Sequence, residues 1–194
     1  MKILAFSDTH GDINYLREIY KKVKKEDPDI IICAGDLLNF WTYSSEIKKI
    51  LESFNKITLL IHGNHENIKL IDRLRSKNII NIHEKIFNFN NFNFFGYGGG
   101  GFEQEDKELE LNINKIKDKL KNWILMTHAP PFNTELDLVY DYHVGSKSIR
   151  KIIEKFKPIL NICGHLHENF EITDYINKTK IINPGPLGKI LELK

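Results

Sequence analysis

Five apolar runs in this chain each end in a short polar segment built from metal-ligating residues, and this repeated junction limits the folds open to it. The runs are Ile3 to Phe6, Ile30 to Ala34, Ile57 to Ile61, Trp123 to Met126 and Ile159 to Cys163. They lead into Asp8-Thr9-His10, Gly35-Asp36, Gly63-Asn64-His65-Glu66, Thr127-His128 and Gly164-His165-Leu166-His167. A short, near-continuous run of Ile, Leu, Val and Phe marks a strand covered on both faces, as in a parallel sheet. In open α/β sheets the loops beyond the carboxyl ends of such strands converge on one site. The five polar segments are therefore expected to meet in space.

The intervening stretches read as crossover helices. Ile13, Leu16, Ile19, Tyr20 and Val23 recur at helical spacing, with Asp12 as the cap and lysines at the far end. Helices over Ser45 to Phe54 and Ile68 to Ser76 continue the alternation, which is that of a parallel α/β sheet. From Ile79 to Tyr97 the texture changes to short runs such as Phe87-Asn88-Phe89 and Phe92-Asn93-Phe94, which predict antiparallel or edge strands of a second sheet. A charged helix over Lys107 to Lys121, a loop from Ala129 to Val144 and a helix over Ser146 to Phe156 follow. Phe170 to Tyr175, Lys180 to Ile182 and Lys189 to Leu193 are expected to be hairpin strands. No linker, repeat or low-complexity tract divides the 194 residues, and one domain over 1–194 is expected.

Composition narrows the partners. The 28 basic and 26 acidic residues are spread along the chain, which argues against the concentrated basic face of a dedicated nucleic-acid binder. Cys33 and Cys163 both lie in predicted buried strands, where packing as small apolar residues is favoured over a disulfide. Strand pattern starts at the amino terminus without a signal-peptide stretch, and no apolar run reaches the length of a membrane span, so a cytoplasmic location is expected.

The ligand spacing carries the chemistry. Asp8 and His10 are two apart, so at a strand end both side chains face one side and offer an oxygen and an imidazole to one cation. Asp36 lies 28 residues after Asp8 and Asn64 28 after Asp36, each step spanning one strand and one helix. A carboxylate in the middle position is placed to bridge two cations, one through each oxygen, and Asp36 is that residue. Asn64 adds a neutral amide oxygen, which keeps the net positive charge of the centre high. A plain turn would explain Gly63-Asn64 but leaves His65-Glu66 unexplained. His128, His165 and His167 supply three further imidazoles at strand ends.

This pattern resembles the calcineurin-like metallophosphoesterases, whose motifs run Asp-x-His, Gly-Asp, Gly-Asn-His-(Asp/Glu), His and Gly-His-x-His. All five occur in order between residues 8 and 167. The resemblance implies a four-layer αββα sandwich, with two mixed β-sheets flanked by helices and a dinuclear site at the strand C-terminal ends. It also implies Asp8, His10, Asp36 and His167 on one metal, and Asp36, Asn64, His128 and His165 on the other. His65 is left as the general acid that contacts the phosphate, a task suited to an imidazole near neutral pH. The implied reaction is attack on a small phosphodiester, including cyclic nucleotides, or on a phosphomonoester by a metal-bridging hydroxide. Donor chemistry leaves Mn, Fe, Ni, Co and Zn open as the two divalent ions. Glu66 is expected to orient the backbone or a histidine rather than to bind metal.

The loop holding Pro130-Pro131-Phe132, Leu136-Asp137-Leu138 and His143-Val144-Gly145-Ser146 resembles that of the small branch containing the metallophosphoesterase-domain proteins. It is expected to overhang the metals, with His143 and Tyr140 within reach of substrate or, equally, with His143 merely capping a helix or facing solvent. Gly96-Tyr97-Gly98-Gly99-Gly100-Gly101 formally matches a dinucleotide fingerprint. The strand after it ends at His128 rather than at an acidic residue, so a loop beside the active site is the better reading. Protein serine/threonine phosphatases carry an Arg after the Gly-Asp and Gly-Asn-His-Glu segments. Here Leu37-Leu38-Asn39 and Asn67-Ile68 stand there, which favours small substrates over phosphoproteins. A nuclease and a non-catalytic protein-binding scaffold remain as alternatives, and the retained ligands and His65 favour the enzyme.

Overall fold

The computed structural model describes residues 1–101 and 103–193. Two sheets stack face to face between helices. The first holds β1 (Lys2–Phe6), β2 (Ile30–Cys33), β3 (Thr58–Leu60) and β4 (Ile79–Asn81), all parallel, with β13 (Lys189–Glu192) antiparallel on the outer side of β1. The second runs β11 (Thr173–Ile176), β12 (Thr179–Ile182), β10 (Leu160–Ile162), β7 (Trp123–Thr127), β6 (Phe92–Tyr97) and β5 (Lys85–Phe89). Its centre is parallel and its two edges are closed by antiparallel hairpins.

Alternation along each strand builds the layers, because successive side chains point to opposite faces. Ile3 and Ala5 of β1 face the second sheet with Ile30, Ile32, Leu59 and Ile61, where they meet Phe94, Ile124, Met126, Leu160 and Ile162. Leu4 and Phe6 face outward with Ile31, Cys33 and Leu60. There they are covered by α1 (Ile13–Glu26), α2 (Ser45–Ser53) and α3 (Ile68–Leu74) through Leu16, Ile19, Ile47, Leu51 and Ile71. On the far side α4 (Lys107–Ile116) and α5 (Lys147–Phe156) cover Phe95, Trp123, Leu125 and Cys163 with Leu109, Ile113, Ile149 and Ile152. The order helix, sheet, sheet, helix is the expected four-layer sandwich. Both thiols are free and buried, packed as apolar groups.

Each helix starts on a side-chain cap: Asp12, Ser44, Asn67, Asp106 and Ser146 each accept a backbone N–H from the first turn. Four departures from the sequence reading have local causes. The stretch from Ile79 opens with β4, which pairs parallel with β3 in the first sheet because Ile79 fills the core under its helices, so the second sheet begins only at β5. Helix α4 stops at Ile116 and tightens into a single 3₁₀ turn over Lys117–Lys119, short of the expected Lys121. The 129–144 loop contains a small hairpin, β8 (Leu138–Val139) with β9 (Tyr142–His143). The final strand is not part of a hairpin with its predecessor: β13 crosses back to pair with β1, because Leu191 fills the core between the sheets and left-handed Gly185 and Gly188 turn the chain across.

Candidate metal centre

The parallel strands β1, β2 and β3 of the first sheet and β7 and β10 of the second deliver all five polar segments to one rim. Backbone hydrogen bonds lace the loops together: Asp8 N–H donates to Gly35 O (3.0 Å), His10 N–H to Asp36 O (2.9 Å) and Gly11 N–H to Leu37 O (3.0 Å). The loops from the second sheet lock on in the same way, with Gly164 N–H donating to His128 O (2.9 Å) and His165 N–H to the Asp8 carboxylate (3.1 Å). Asp8, His10, Asp36 and His165 all have left-handed backbone, with φ of 55°, 46°, 49° and 76°. That conformation costs an L-residue about 1 kcal/mol or more. The surrounding hydrogen bonds hold these four residues in it.

Two groups of donors result. His10 Nε2 and His167 Nε2 stand 3.0 Å apart, 3.9 Å and 4.0 Å from Asp36 Oδ2 and Asp8 Oδ1 respectively. Asn64 Oδ1 lies 2.9 Å from both His128 Nε2 and His165 Nδ1, and His128 Nε2 is 3.3 Å from Asp36 Oδ2. Asp8 with His10 and His167, and Asp8 with Asp36 and His128, each bring donor atoms within 4.8 Å of one another. His65 Nε2 is 3.9 Å from Asp36 Oδ2, and its backbone N–H donates to Asp36 Oδ1 (3.0 Å).

These residues suit divalent cations on electrostatic grounds. Asp8 and Asp36 are 3% and 1% exposed, yet among the described residues no Lys or Arg forms an ion pair with either; their charged-pair partners are histidines. Two buried carboxylates whose only charged partners are titratable imidazoles suit an external cation, which can replace the imidazole proton. The imidazoles are prepared to bind it. His128 donates its Nδ1–H to Ala34 O (2.9 Å), which fixes the tautomer and turns the Nε2 lone pair toward the site. Burial lowers the pKa of His10, and burial with the charge of His128 lowers that of His165 to about 4, so both rings are neutral at pH 7.

The remaining pair is coupled. Burial opposes charge on both, but their mutual hydrogen bond and attraction prevail, so Asp36 falls to about 2 and His128 rises to about 9. In the absence of a cation, His128 holds the proton that a cation would displace. Glu66 is 2% exposed and binds no metal-facing side chain. Its carboxylate accepts the N–H groups of Leu37 (3.1 Å) and Leu38 (2.6 Å), clamping the turn that carries Asp36. Burial pushes its pKa up to about 7 against those two bonds.

Of the predicted residues, Asp8, His10, Asp36, Asn64, His65, His128, His165 and His167 converge. His143 is held elsewhere: its Nδ1–H donates to buried Asp137 (2.8 Å) and its ring meets the edge of Phe132. Asp137 also accepts from Asn133, Thr134 and Gly145, so His143 belongs to a polar knot that shapes the loop. Tyr140 sits at the exposed tip of that hairpin. The glycine-rich segment packs on the strand-end histidines rather than on a helix N-terminus. Gly98 N–H donates to His83 Nδ1 (2.9 Å) and Gly99 N–H to His62 O (2.9 Å), and a Cβ on Gly98 would come within 2.6 Å of that carbonyl.

Sequence reasoning passed over the turn Asn39–Thr42. Thr42 N–H donates to Asn39 O (2.9 Å), and the central residues Phe40 and Trp41 are both left-handed, with φ of 30° and 63°, and both exposed. The signal was present as two adjacent large aromatics starting four residues beyond the Gly-Asp motif, but an aromatic after a strand ordinarily reads as core.

The calcineurin-like phosphoesterase family matches residues 1–169, a stretch that includes every ligand expected from the sequence, from Asp8 to His167, and the chain belongs to that family. Family members are phosphoester hydrolases that typically bind two metal ions. The chain is 36% identical to an uncharacterised protein, MJ1162, of Methanocaldococcus jannaschii, over 96% of this chain and 88% of that one. Among solved structures it is similar to TT1561 of Thermus thermophilus, with a TM-score of 0.79, 17% identity, and 96% and 89% of the two chains covered. It is also similar to an archaeal phosphodiesterase, with a TM-score of 0.58, 19% identity, and 95% and 84% covered. At such identities these likenesses show the shared fold. No helix among the described residues is long and apolar enough to cross a membrane.

Proposed function

We propose that this chain hydrolyses small phosphodiesters or phosphomonoesters with two divalent cations, drawn from Mn, Fe, Ni, Co and Zn. Asp8, His10, Asp36 and His167 hold one, and Asp36, Asn64, His128 and His165 the other. When bound, the cations supply an acidified water and neutralise charge on the phosphoryl oxygens. The observation that supports this most is the pair of buried carboxylates, Asp8 and Asp36, partnered by histidines alone.

The protein's own residues do the rest. Asp36 is the shared ligand, and the Asp36 backbone is fixed by Glu66 through the two N–H groups that follow it. His65 is partly exposed on an open cleft of about 300 Å³ that it lines with Asn64, Val139 and His165. A water oxygen bonds to phosphorus and releases one proton to solvent, the bond to the leaving oxygen breaks, and His65 Nε2 gives its proton to that oxygen and is reprotonated from solvent. His143 lies on the hairpin whose Val139 reaches the cleft, on the side where the rest of the substrate would extend.

A screen of metal-reconstituted protein against monoesters, diesters and cyclic nucleotides tests this. His65→Ala is expected to keep both ions by elemental analysis and to lose roughly 10²- to 10⁴-fold in kcat. Asp36→Ala is expected to lose ions and activity together. Hydrolysis of bis(p-nitrophenyl) phosphate by His65→Ala at the parent rate would remove His65 from the reaction. Failure of the parent to retain any ion would favour the scaffold alternative.

A further inference from the structure

The Phe40–Trp41 turn is built at a cost and aimed at one residue. Turns with both central residues left-handed favour Asn, Asp and Gly, whereas here two large aromatics occupy them and remain 63% and 57% exposed. The turn is tied to the site. Trp41 N–H donates to His65 O (3.2 Å), and the Phe40 ring stands edge-on to the His65 imidazole, with centroids 4.7 Å apart at 87°. Leu37 and Leu38, which lead into it, are the residues clamped by Glu66. An exposed, strained aromatic pair registered to a catalytic imidazole has no packing purpose, since neither ring is buried in a core.

We infer that Phe40 and Trp41 form a stacking platform for a flat ring on the leaving alcohol, so that the preferred substrate is a nucleoside phosphoester. The inference rests on the proposal that His65 protonates the leaving oxygen, because that places the departing group on the side where the Phe40 ring meets the imidazole, with Trp41 next to it and tied by its backbone to His65. Every nucleobase offers a π-face, and base stacking on an aromatic side chain amounts to roughly 10- to 100-fold in binding. A ribose without a base has nothing to stack.

AMP and ribose 5-phosphate share the same leaving hydroxyl and differ by the base, so the pair isolates the effect. With metal-loaded full-length protein, kcat/KM is expected to be at least about 10-fold higher for AMP. Trp41→Ala should lower the AMP value about 10-fold and leave ribose 5-phosphate within about twofold, while Trp41→Phe restores the preference. Trp41→Gly, which suits the left-handed backbone, keeps the fold and should lose the preference as Trp41→Ala does.

A binding readout stands apart from turnover. Trp123 is buried, so quenching of tryptophan emission by adenosine or AMP, and its absence with ribose 5-phosphate, reports Trp41. Equal kcat/KM for the two esters, equal losses on both in Trp41→Ala, or no quenching would overturn the inference. So would a Trp41→Ala protein that sediments as a smaller species than the parent, since the rings would then cover a second copy. If neither ester is cleaved, the monoester half of the proposed function falls while the diester half is decided by the substrate screen, and the quenching experiment still decides the platform.

Discussion

Glu66 shows how a residue that touches no substrate sets the position of one that would hold both ions. Its two carboxylate oxygens meet two backbone N–H groups just after Asp36, in a setting with almost no water. Glu66→Gln offers one acceptor oxygen for three donors, since Gly63 N–H also bonds to the carboxylate (3.4 Å), leaving at least one buried N–H unpaired at a cost of about 1 to 3 kcal/mol. The expected result is a lower urea midpoint together with a 10- to 100-fold weaker metal affinity by chelator competition, since the Asp36 turn loosens. A stability loss with unchanged metal affinity would show that the clamp does not position Asp36. At this scale the residues that converge at the rim were legible because each one follows an apolar run. The Phe40–Trp41 turn was not, because the positive φ that distinguishes it from core has no letter in the sequence.

At the scale of elements, strand ends pack backbone to backbone, and glycine permits it. A Cβ on Gly63 would collide with the Asp36 carboxylate and the Asp36 backbone nitrogen. Gly63→Ala is therefore expected to fold with its sheets intact by far-UV circular dichroism and to bind ions at least about 10-fold more weakly, because the Asp36 carboxylate must move. Unchanged ion affinity would mean that Asp36 can relax sideways. The parallel strands were readable since burial on both faces removes polar alternation from their sequences. The pairing of β13 was not readable, because a four-residue alternating strand looks the same whether it closes a hairpin or returns to a distant edge. Helix ends were legible to within a few residues where caps were present, as at Asp12 and Ser146, and less so at α4, whose exit into a 3₁₀ turn has no distinct residue signature.

For the whole molecule, the passage from one sheet to the other runs through His83. Its N–H donates to Asn81 Oδ1 (3.0 Å) at the end of β4, its Nδ1 accepts from Gly98 beyond β6, and its ring lies against His62 and Tyr97. Burial, then the charges of His62 and Lys85, hold its pKa down to about 4 from 6.5, with Asp106 and Asp72 opposing. The unfolded chain takes up a proton near pH 6.5 that the folded chain refuses until about pH 4. Stability contributed by neutral His83 is thus complete above that range and lost as the pH falls through it, by on the order of 2 kcal/mol. Urea unfolding in chelator at the two ends of the range should show a smaller loss for His83→Gln than for the parent. Identical pH slopes would remove His83 as the source.

Strand β13 links the beginning of the chain to its end: the N-terminal ammonium donates to Leu193 O (2.6 Å) and Leu193 N–H to Met1 O (2.9 Å). A nascent polypeptide that has left the ribosome as far as His167 already displays every donor for the cations. Strand β1 then still has a bare outer edge, and β10 has no β12 beside it. If those donors hold the ions as proposed, capture during synthesis would wait for the tail, and a message truncated after the His167 codon would encode the full donor set without the architecture that gathers it.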